Sequence, residues 1–201
     1  MLTNPQDKRS DYVRDGLDWY VEPSWCVDLL LDRLPDLSTV WDPACGAGTI
    51  PEACRARGIC AVGSDIADRG YGRPDVDFLP GPGGGRAIPF GTPYAIITNP
   101  PYGKATDFIA EARRVARRIV AVLVRLDYLA SQRRRALFVN HPPARVLVLS
   151  KRPSMPPGEQ LASGAVQAKG GQHDFCWIVW DRRHDGPTQM EWLAPEEGVA
   201  A

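Results

Sequence analysis

The sequence predicts an α/β fold with a doubly wound, mostly parallel sheet. Short apolar runs that suit buried strands alternate with segments of helical periodicity, and the connections between them are short. Polar residues follow several of these runs directly, at the carboxyl ends of the strands, where such sheets bind ligands. The length of 201 residues, with 44% apolar and 24% charged residues, suits one globular domain with its own core.

Seven runs are predicted as strands, at 39–41, 60–65, 76–79, 94–98, 118–126, 145–149 and 175–180. Helices are predicted at 24–34, 49–57, 105–117 and 131–139. In the first helix, Ser24 is expected to cap the amino end and Pro35 to mark the carboxyl end. The run 119–124 is apolar at every position, which is typical of a central strand buried on both faces.

A single domain is expected over residues 19–194, with a flexible lead-in at 1–18 and a tail at 195–201. The sequence contains no apolar run of membrane-spanning length and no signal-peptide core. Its five cysteines are an odd number and form no Cys-x-x-Cys pair. These features favour buried free thiols in a reducing cytoplasm over disulfides or a zinc site.

The formal net charge is zero, but the charges are unevenly distributed. Between Lys104 and Arg152 there are 12 basic and 3 acidic side chains. Such a basic segment suits a polyanionic partner, although a solvated helix face produces the same count. The three histidines have no metal-ligand spacing, so no metal is expected.

The segment Asp42-Pro-Ala-Cys-Gly-Ala-Gly48 connects a predicted strand to a helix. Its glycines allow a tight turn and the close approach of a ligand, and the helix start offers free N–H groups. Asp65 follows Asp42 by 23 residues and ends the next strand, where a carboxylate can accept both hydroxyls of a ribose. No third glycine and no phosphate-binding lysine follow, which favours a nucleoside over a dinucleotide or a nucleoside triphosphate.

The apolar run 94–97 leads into Thr98-Asn99-Pro100-Pro101-Tyr102-Gly103. Two successive prolines remove two backbone donors, so the strand can neither pair further nor continue as a helix. An amide side chain, a free carbonyl and an aromatic ring therefore project together from a stiff strand end. This arrangement suits a planar group, although a strand that merely ends at proline with a capping Asn would look the same.

These motifs, together with Asp77-Phe78, resemble successive motifs of the S-adenosylmethionine-dependent amino methyltransferases, in their DNA adenine-N6 branch. The segment Tyr20-Val-Glu-Pro23 loosely resembles the N-terminal motif of that branch. Residues 145–155 and 173–181 further resemble small phage and prophage adenine methyltransferases, so the resemblance covers about residues 18–193. It implies a Rossmann-like class I methyltransferase sheet of seven strands, with an antiparallel last strand, in a bacterial or phage-infected cell.

The resemblance also implies S-adenosylmethionine as the cofactor. Asp65 would bind its ribose, Asp77 would accept from its adenine amine, and Phe78 would pack on the adenine. The complete expected set of cofactor contacts is Tyr20, Pro23, Asp42, Ala44, Gly46, Gly48, Asp65, Ile66, Asp77, Phe78 and Asn99. Two alternatives stay open: Asp42 could hold the loop amides, and Asp77 could be a turn carboxylate.

The implied reaction is methyl transfer to the N6 amine of a flipped adenine, at Asn99, Pro100, Pro101 and Tyr102. The lone pair of an aromatic amine is delocalised into its ring, so the amine is a poor nucleophile. Hydrogen bonds to the Asn99 side-chain oxygen and the Pro100 carbonyl would favour a pyramidal nitrogen, whose lone pair can attack the methyl group. Tyr102 would stack on the base, which contributes roughly 1–3 kcal/mol.

Met155 lies where relatives have an aromatic residue against the base, and Lys151, Arg152 and Arg133 are candidate phosphate contacts. No segment remains for a separate target-recognition domain. We therefore expect weak or short-site DNA specificity, or recognition through a homodimer or a partner subunit. The alternatives are a protein glutamine amide, an RNA base amine, or a binding protein that transfers no methyl group.

Overall fold

The computed structural model describes residues 18–79, 81, 91–168 and 170–195. Five α-helices and seven strands occur in these ranges: α1 Ser24–Leu31, β1 Thr39–Asp42, α2 Thr49–Ala56, β2 Cys60–Gly63, β3 Ala95–Thr98, α3 Ala105–Val115, β4 Ile119–Arg125, α4 Arg135–Asn140, β5 Arg145–Leu149, α5 Gly158–Ala162, β6 Phe175–Asp181 and β7 Gln189–Leu193. Short 3₁₀ turns occupy Tyr102–Lys104, Leu126–Leu129 and Gln132–Arg134. None of the described helices is long and apolar enough to cross a membrane.

The strands form one sheet in the order β2-β1-β3-β4-β6-β5-β7. Strand β6 runs antiparallel to both of its neighbours, β4 and β5, and every other pair of neighbouring strands is parallel. The predicted α/β fold with a mostly parallel sheet is therefore confirmed, as is the antiparallel direction of the strand at 175–181.

Two apolar cores cover the two faces of the sheet, because alternate residues of each strand point to opposite faces. In β4, Ile119, Ala121 and Leu123 pack with α1 and α2 in one core. Val120, Val122 and Val124 pack with α3 in the other core. Burial on both faces explains why this strand is apolar at each of these positions.

The seven strands are not the seven that the sequence predicts. Residues 76–79 form no strand: the Val76 N–H donates to the Asp65 carbonyl at 3.0 Å, and the Leu79 N–H donates to Asp77 Oδ1 at 3.0 Å. These local bonds use donors that a strand would need for pairing. The seventh strand is instead β7, which the sequence analysis missed and which follows Gly186 and Pro187 at the edge of the sheet.

Two helix starts also differ from the prediction. Pro23 occupies the cap position of α1 with no side-chain cap bond, and Ser24 is the exposed first residue of the helix. The helix predicted at 131–139 begins as a 3₁₀ turn and becomes α-helical only at Arg135. The five cysteines are free, as expected, but Cys60 is exposed whereas the other four are buried.

Trp177 joins β6 to α1 and provides a test of this packing. Its ring is fully buried, and its Nε1–H donates to the Cys26 carbonyl at 2.9 Å. We expect Trp177→Phe to lower the free energy of unfolding by about 2 kcal/mol, because the smaller ring leaves a cavity and an unpaired carbonyl. Urea denaturation measures this, with Trp192→Phe as the control. Trp192 is 65% exposed, so that change is expected to stay within about 0.5 kcal/mol.

Candidate active site

A cavity of about 460 Å³ lies at the carboxyl ends of β1, β2 and β3. We call it the first cavity. Most of the predicted cofactor contacts line it: Tyr20, Ala44, Gly46, Asp65, Ile66, Asp77, Phe78 and Asn99. Pro101 lines it as well. The topology explains this convergence, because the ends of adjacent parallel strands meet at one edge of the sheet.

Asp65 is buried two residues after β2 and fixes residues 42–48, which we call the glycine loop. Its Oδ2 accepts from the Gly46 N–H at 3.0 Å, and its Oδ1 accepts from the Ala67 N–H at 3.1 Å. Arg69 Nε lies 3.3 Å from the same Oδ1. The carboxylate therefore holds the loop in place, and a hydroxyl-bearing ligand would share oxygens that already accept these bonds.

Asp42, Gly48 and Pro23 do not line the first cavity. The buried Asp42 accepts from the Ala44 N–H at 3.1 Å, and burial and the nearby Glu22 raise the pKa of its carboxyl well above the ordinary value. Gly48 occupies the cap position before α2 with a positive φ and packs against the Tyr71 ring. Pro23 caps α1. These three residues therefore support the elements around the first cavity and are not part of its wall.

The far end of the first cavity has an apolar floor and a polar rim. Phe78 is buried, with its ring edge-on to Trp41 at 5.4 Å and tilted against Phe108 at 5.0 Å between centroids. Ile66 is 46% exposed, and the exposed Asp77 keeps a carboxylate at the rim. This combination suits a flat heterocycle that carries a hydrogen-bond donor.

Residues 19–21 form a strap between the glycine loop and α5. The Gly158 N–H donates to the Trp19 carbonyl at 2.9 Å, and the Val21 N–H donates to the Pro156 carbonyl at 3.0 Å. The Trp19 ring packs so closely on Gly46 and Gly158 that a Cβ at either glycine would overlap it. Backbone hydrogen bonds therefore hold the strap to the start of α5, and the Trp19 ring packs it against the glycine loop.

Asn99 directly follows β3, and within the described part of the chain only the nitrogen of its side-chain amide is hydrogen bonded. Its Nδ2 donates to the Tyr20 carbonyl at 3.0 Å and to Glu22 Oε2 at 2.9 Å. Its Oδ1 is buried and accepts no hydrogen bond from the described residues. Because a buried acceptor without a partner is costly, this oxygen indicates a position for a ligand donor.

A second cavity, of about 410 Å³, adjoins the first and shares Asp18, Tyr20 and Gly103 with it. Its wall also contains Tyr102, Met155, Phe175, Arg125 and His173. The predicted substrate residues Tyr102 and Met155 therefore line the same cavity. Since Asp18, Tyr20 and Gly103 line both cavities, a group in one cavity could contact a group in the other beside these residues.

Tyr102 is packed more tightly than the sequence suggests. Its ring stacks on Tyr20, with 5.3 Å between centroids and 16° between planes, and lies tilted against Phe175 at 6.2 Å. Its hydroxyl is buried without a partner among the described residues, and burial raises its pKa. A base that stacks on the Tyr20 side of this ring must displace Tyr20, because the rings leave no room between them.

The remaining predicted contacts lie outside both cavities. Pro100 is buried and lines neither cavity. Arg152 pairs with Asp174 at 2.7 Å, and Lys151 Nζ lies 5.8 Å from the Trp25 ring centroid. Arg133 is exposed on a 3₁₀ turn. The three cations thus lie on the surface, outside the space where a base would react.

Several residues of the site were not predicted from the sequence, namely Trp19, Glu22, Arg69, Arg125 and His173. Glu22 belongs to the N-terminal motif, and Trp19 immediately precedes it. Position in the motif, or directly before it, was therefore an available signal for these two residues. Among the described residues, no group of His, Cys, Asp and Glu side chains could hold a metal ion.

The contact between Gly46 and the strap can be tested directly. Gly46 and Gly58 both have positive φ, at 51° and 74°, but a Cβ at Gly58 would meet nothing within 4 Å. We expect Gly46→Ala to lower the free energy of unfolding by about 1 kcal/mol more than Gly58→Ala, because only the former must push Trp19 aside. Equal losses in urea denaturation would mean that Trp19 is not anchored on the loop.

No family model and no curated protein matches this sequence. Solved structures do match its fold. A candidate RNA methyltransferase from Pyrococcus horikoshii superposes with a TM-score of 0.58 at 14% identity, covering 82% of this chain and 87% of that chain. Precorrin-6y C5,15-methyltransferase from Geobacter metallireducens GS-15 gives a TM-score of 0.52 at 11% identity, covering 85% of this chain and 94% of that chain. The chain therefore has the Rossmann-like fold that these methyltransferases share.

Proposed function

We propose that this protein transfers a methyl group from S-adenosylmethionine to the N6 amine of adenine in DNA, with weak or short-site sequence specificity. The observation that carries this proposal is the buried, unpartnered Oδ1 of Asn99 in the wall of the first cavity, where Asn99 is hydrogen bonded to Tyr20, a residue that lines both cavities. An acceptor in this position can hold the amine of a base that extends from the second cavity. The amine would then lie beside a methyl donor in the first cavity.

The residues of the first cavity fit the proposed cofactor. Ile66, Phe78 and Asp77 would hold its adenine, Asp65 its ribose, and the backbone around Gly46 its methionine end. A volume of about 460 Å³ falls in the range of small-molecule and cofactor sites. When bound, S-adenosylmethionine supplies an electrophilic methyl group on a sulfonium.

The chemistry at β3 follows from the fixed orientation of Asn99. Because Tyr20 and Glu22 take both hydrogens of its Nδ2, its Oδ1 can only accept, and it would draw one hydrogen of the substrate amine out of the ring plane. The nitrogen lone pair would then form the new N–C bond as the S–C bond breaks, and the electron pair of that bond would stay on sulfur. The excess proton on the amine passes to water.

Two features support DNA as the substrate. The second cavity has aromatic and apolar walls from Tyr102, Phe175 and Met155, which suit an unstacked base. The segment between Lys104 and Arg152 carries 12 basic and 3 acidic side chains, which suits a phosphate backbone. RNA is the second candidate, because it offers the same chemistry and one structure with this fold is a candidate RNA methyltransferase.

Transfer of a labelled methyl group tests the proposal. Purified protein is incubated with S-adenosylmethionine labelled in its methyl group and, separately, with DNA, RNA or a protein extract. We expect label in DNA, and excess S-adenosylhomocysteine should suppress it. Label confined to RNA would favour the second candidate, whereas label confined to protein, or in no polymer, would contradict the proposal.

A further inference from the structure

Glu22 is a buried carboxylate that the proposed chemistry does not yet explain. Its side chain, 7% exposed, lies between the strap and α1 and contributes to the wall of the first cavity. Its Oε2 accepts the hydrogen bond from Asn99 Nδ2 at 2.9 Å. It takes part in no ion pair among the described residues, which is unusual for a buried charge.

The surroundings of Glu22 oppose its ionisation. Burial raises its pKa from 4.5 to about 7, although hydrogen bonds from Asn99 and from its own backbone lower it. Asp42 on β1 is a second buried carboxyl nearby. Among the described residues, its charge also raises the pKa values of the neutral side chains Cys26, Cys45 and Tyr102.

This carboxylate therefore costs the fold stability. The unfolded chain releases the Glu22 proton near pH 4.5, whereas the folded chain holds it up to about pH 7. Between these values the folded state binds more protons than the unfolded state, so this group lowers stability as pH rises, and the full cost persists above pH 7. Because the Glu22 carboxylate opposes folding at neutral pH, its presence is better explained by a role in function than by a role in stability.

We propose that Glu22 is a positioning residue for methyl transfer, whose ionised carboxylate fixes the Asn99 amide and strengthens its oxygen as an acceptor. This inference rests on the proposed function. A carboxylate that accepts from an amide N–H₂ shifts electron density toward the amide oxygen, and such polarisation is strong away from water. The positive charge that develops on the substrate amine is then stabilised by the negative charge behind Asn99.

The first test measures the effect of the Glu22 charge on the Asn99 amide and requires no methyl transfer. In the NMR spectrum of the whole protein, the side-chain N–H₂ signals of Asn99, assigned by their loss in Asn99→Ala, are followed between pH 5 and 9. We expect both signals to shift with a midpoint near pH 7, and to stay constant in Glu22→Gln. A wild-type titration that shows no such shift would overturn the link.

The second test measures the consequence for catalysis. Wild-type kcat should rise with pH to a plateau, with a midpoint at or below pH 7, because a bound sulfonium cation lowers the pKa of a nearby carboxyl. We expect Glu22→Gln to lose this dependence and to have a kcat about tenfold below the plateau, with unchanged affinity for S-adenosylhomocysteine, which lacks the sulfonium charge. The matched control Glu191→Gln removes an exposed partner of Arg33 at the sheet edge and should behave as wild type.

Stability separates a positioning role from a structural one. At pH 8, Glu22→Gln should unfold at a higher urea concentration than the wild type, because the buried charge is gone. A less stable Gln variant, or an unchanged kcat profile, would overturn the proposal. If the wild type methylates no polymer, the proposed function fails, and with it the catalytic role of Glu22, while the NMR titration still decides whether Glu22 polarises Asn99.

Discussion

Asn99→Ala is expected to lower kcat for methyl transfer about 100- to 1000-fold, with little change in cofactor affinity. The substitution removes the acceptor that orients the substrate amine, while the walls that would hold the cofactor adenine and ribose stay in place. Initial rates at saturating DNA give kcat, and calorimetric titration with S-adenosylhomocysteine gives the affinity. The control is Asn140→Ala, which changes an exposed amide on α4.

The measurements of kcat and of cofactor affinity together distinguish three outcomes for Asn99→Ala. A large loss of kcat at constant affinity supports the assigned role. A large loss of cofactor affinity would mean that Asn99 mainly shapes the first cavity. Retention of more than about half of the activity would contradict the proposed chemistry, because no fixed acceptor for the amine would then be needed.

Asp65→Ala is expected to weaken cofactor binding by about 100-fold. The carboxylate accepts from the Gly46 and Ala67 amides, and it would also accept from the ribose hydroxyls. Removing it loses charge-assisted hydrogen bonds worth about 1.5–3 kcal/mol each and leaves Gly46 without its partner. Titration with S-adenosylhomocysteine measures the change.

Asp68→Ala is the matched control for this change. It removes an exposed carboxylate three residues after Asp65, which accepts from the Gly70 amide in the same loop. Its affinity is expected to stay within about twofold of wild type, as for most surface substitutions. Equal affinity of Asp65→Ala and the wild type would show that the ligand does not reach the end of β2.

Much of the fold follows from local patterns. The strands β1, β3, β4 and β5 are short runs whose composition suits burial, and each lies within a residue or two of its predicted bounds. The segment 76–79 looked similar, but the Asp77 side chain offers its own backbone a competing hydrogen bond. Edge strand β7 is buried only at Leu193 and lies next to one strand only, so its sequence carries a weaker signal.

The site was predictable where one short segment provides several groups. Asn99, Pro101 and Tyr102 come from one turn, and the residues of the glycine loop from another. The contact between Glu22 and Asn99 joins positions 77 residues apart and depends on how α1 packs against one face of the sheet. The stacking of Tyr20 on Tyr102 is likewise a tertiary contact, which no local pattern reveals.

The central claim is that Asn99 presents an exocyclic adenine amine to a methyl donor. Its most direct test is the mass of the nucleosides released from DNA after incubation with the protein and S-adenosylmethionine carrying a deuterated methyl group. We expect the label in N6-methyldeoxyadenosine, and at least about 100-fold less of it with Asn99→Ala over the same short incubation. Label in a methylated cytosine instead, or unlabelled DNA beside labelled RNA or protein, would contradict the claim.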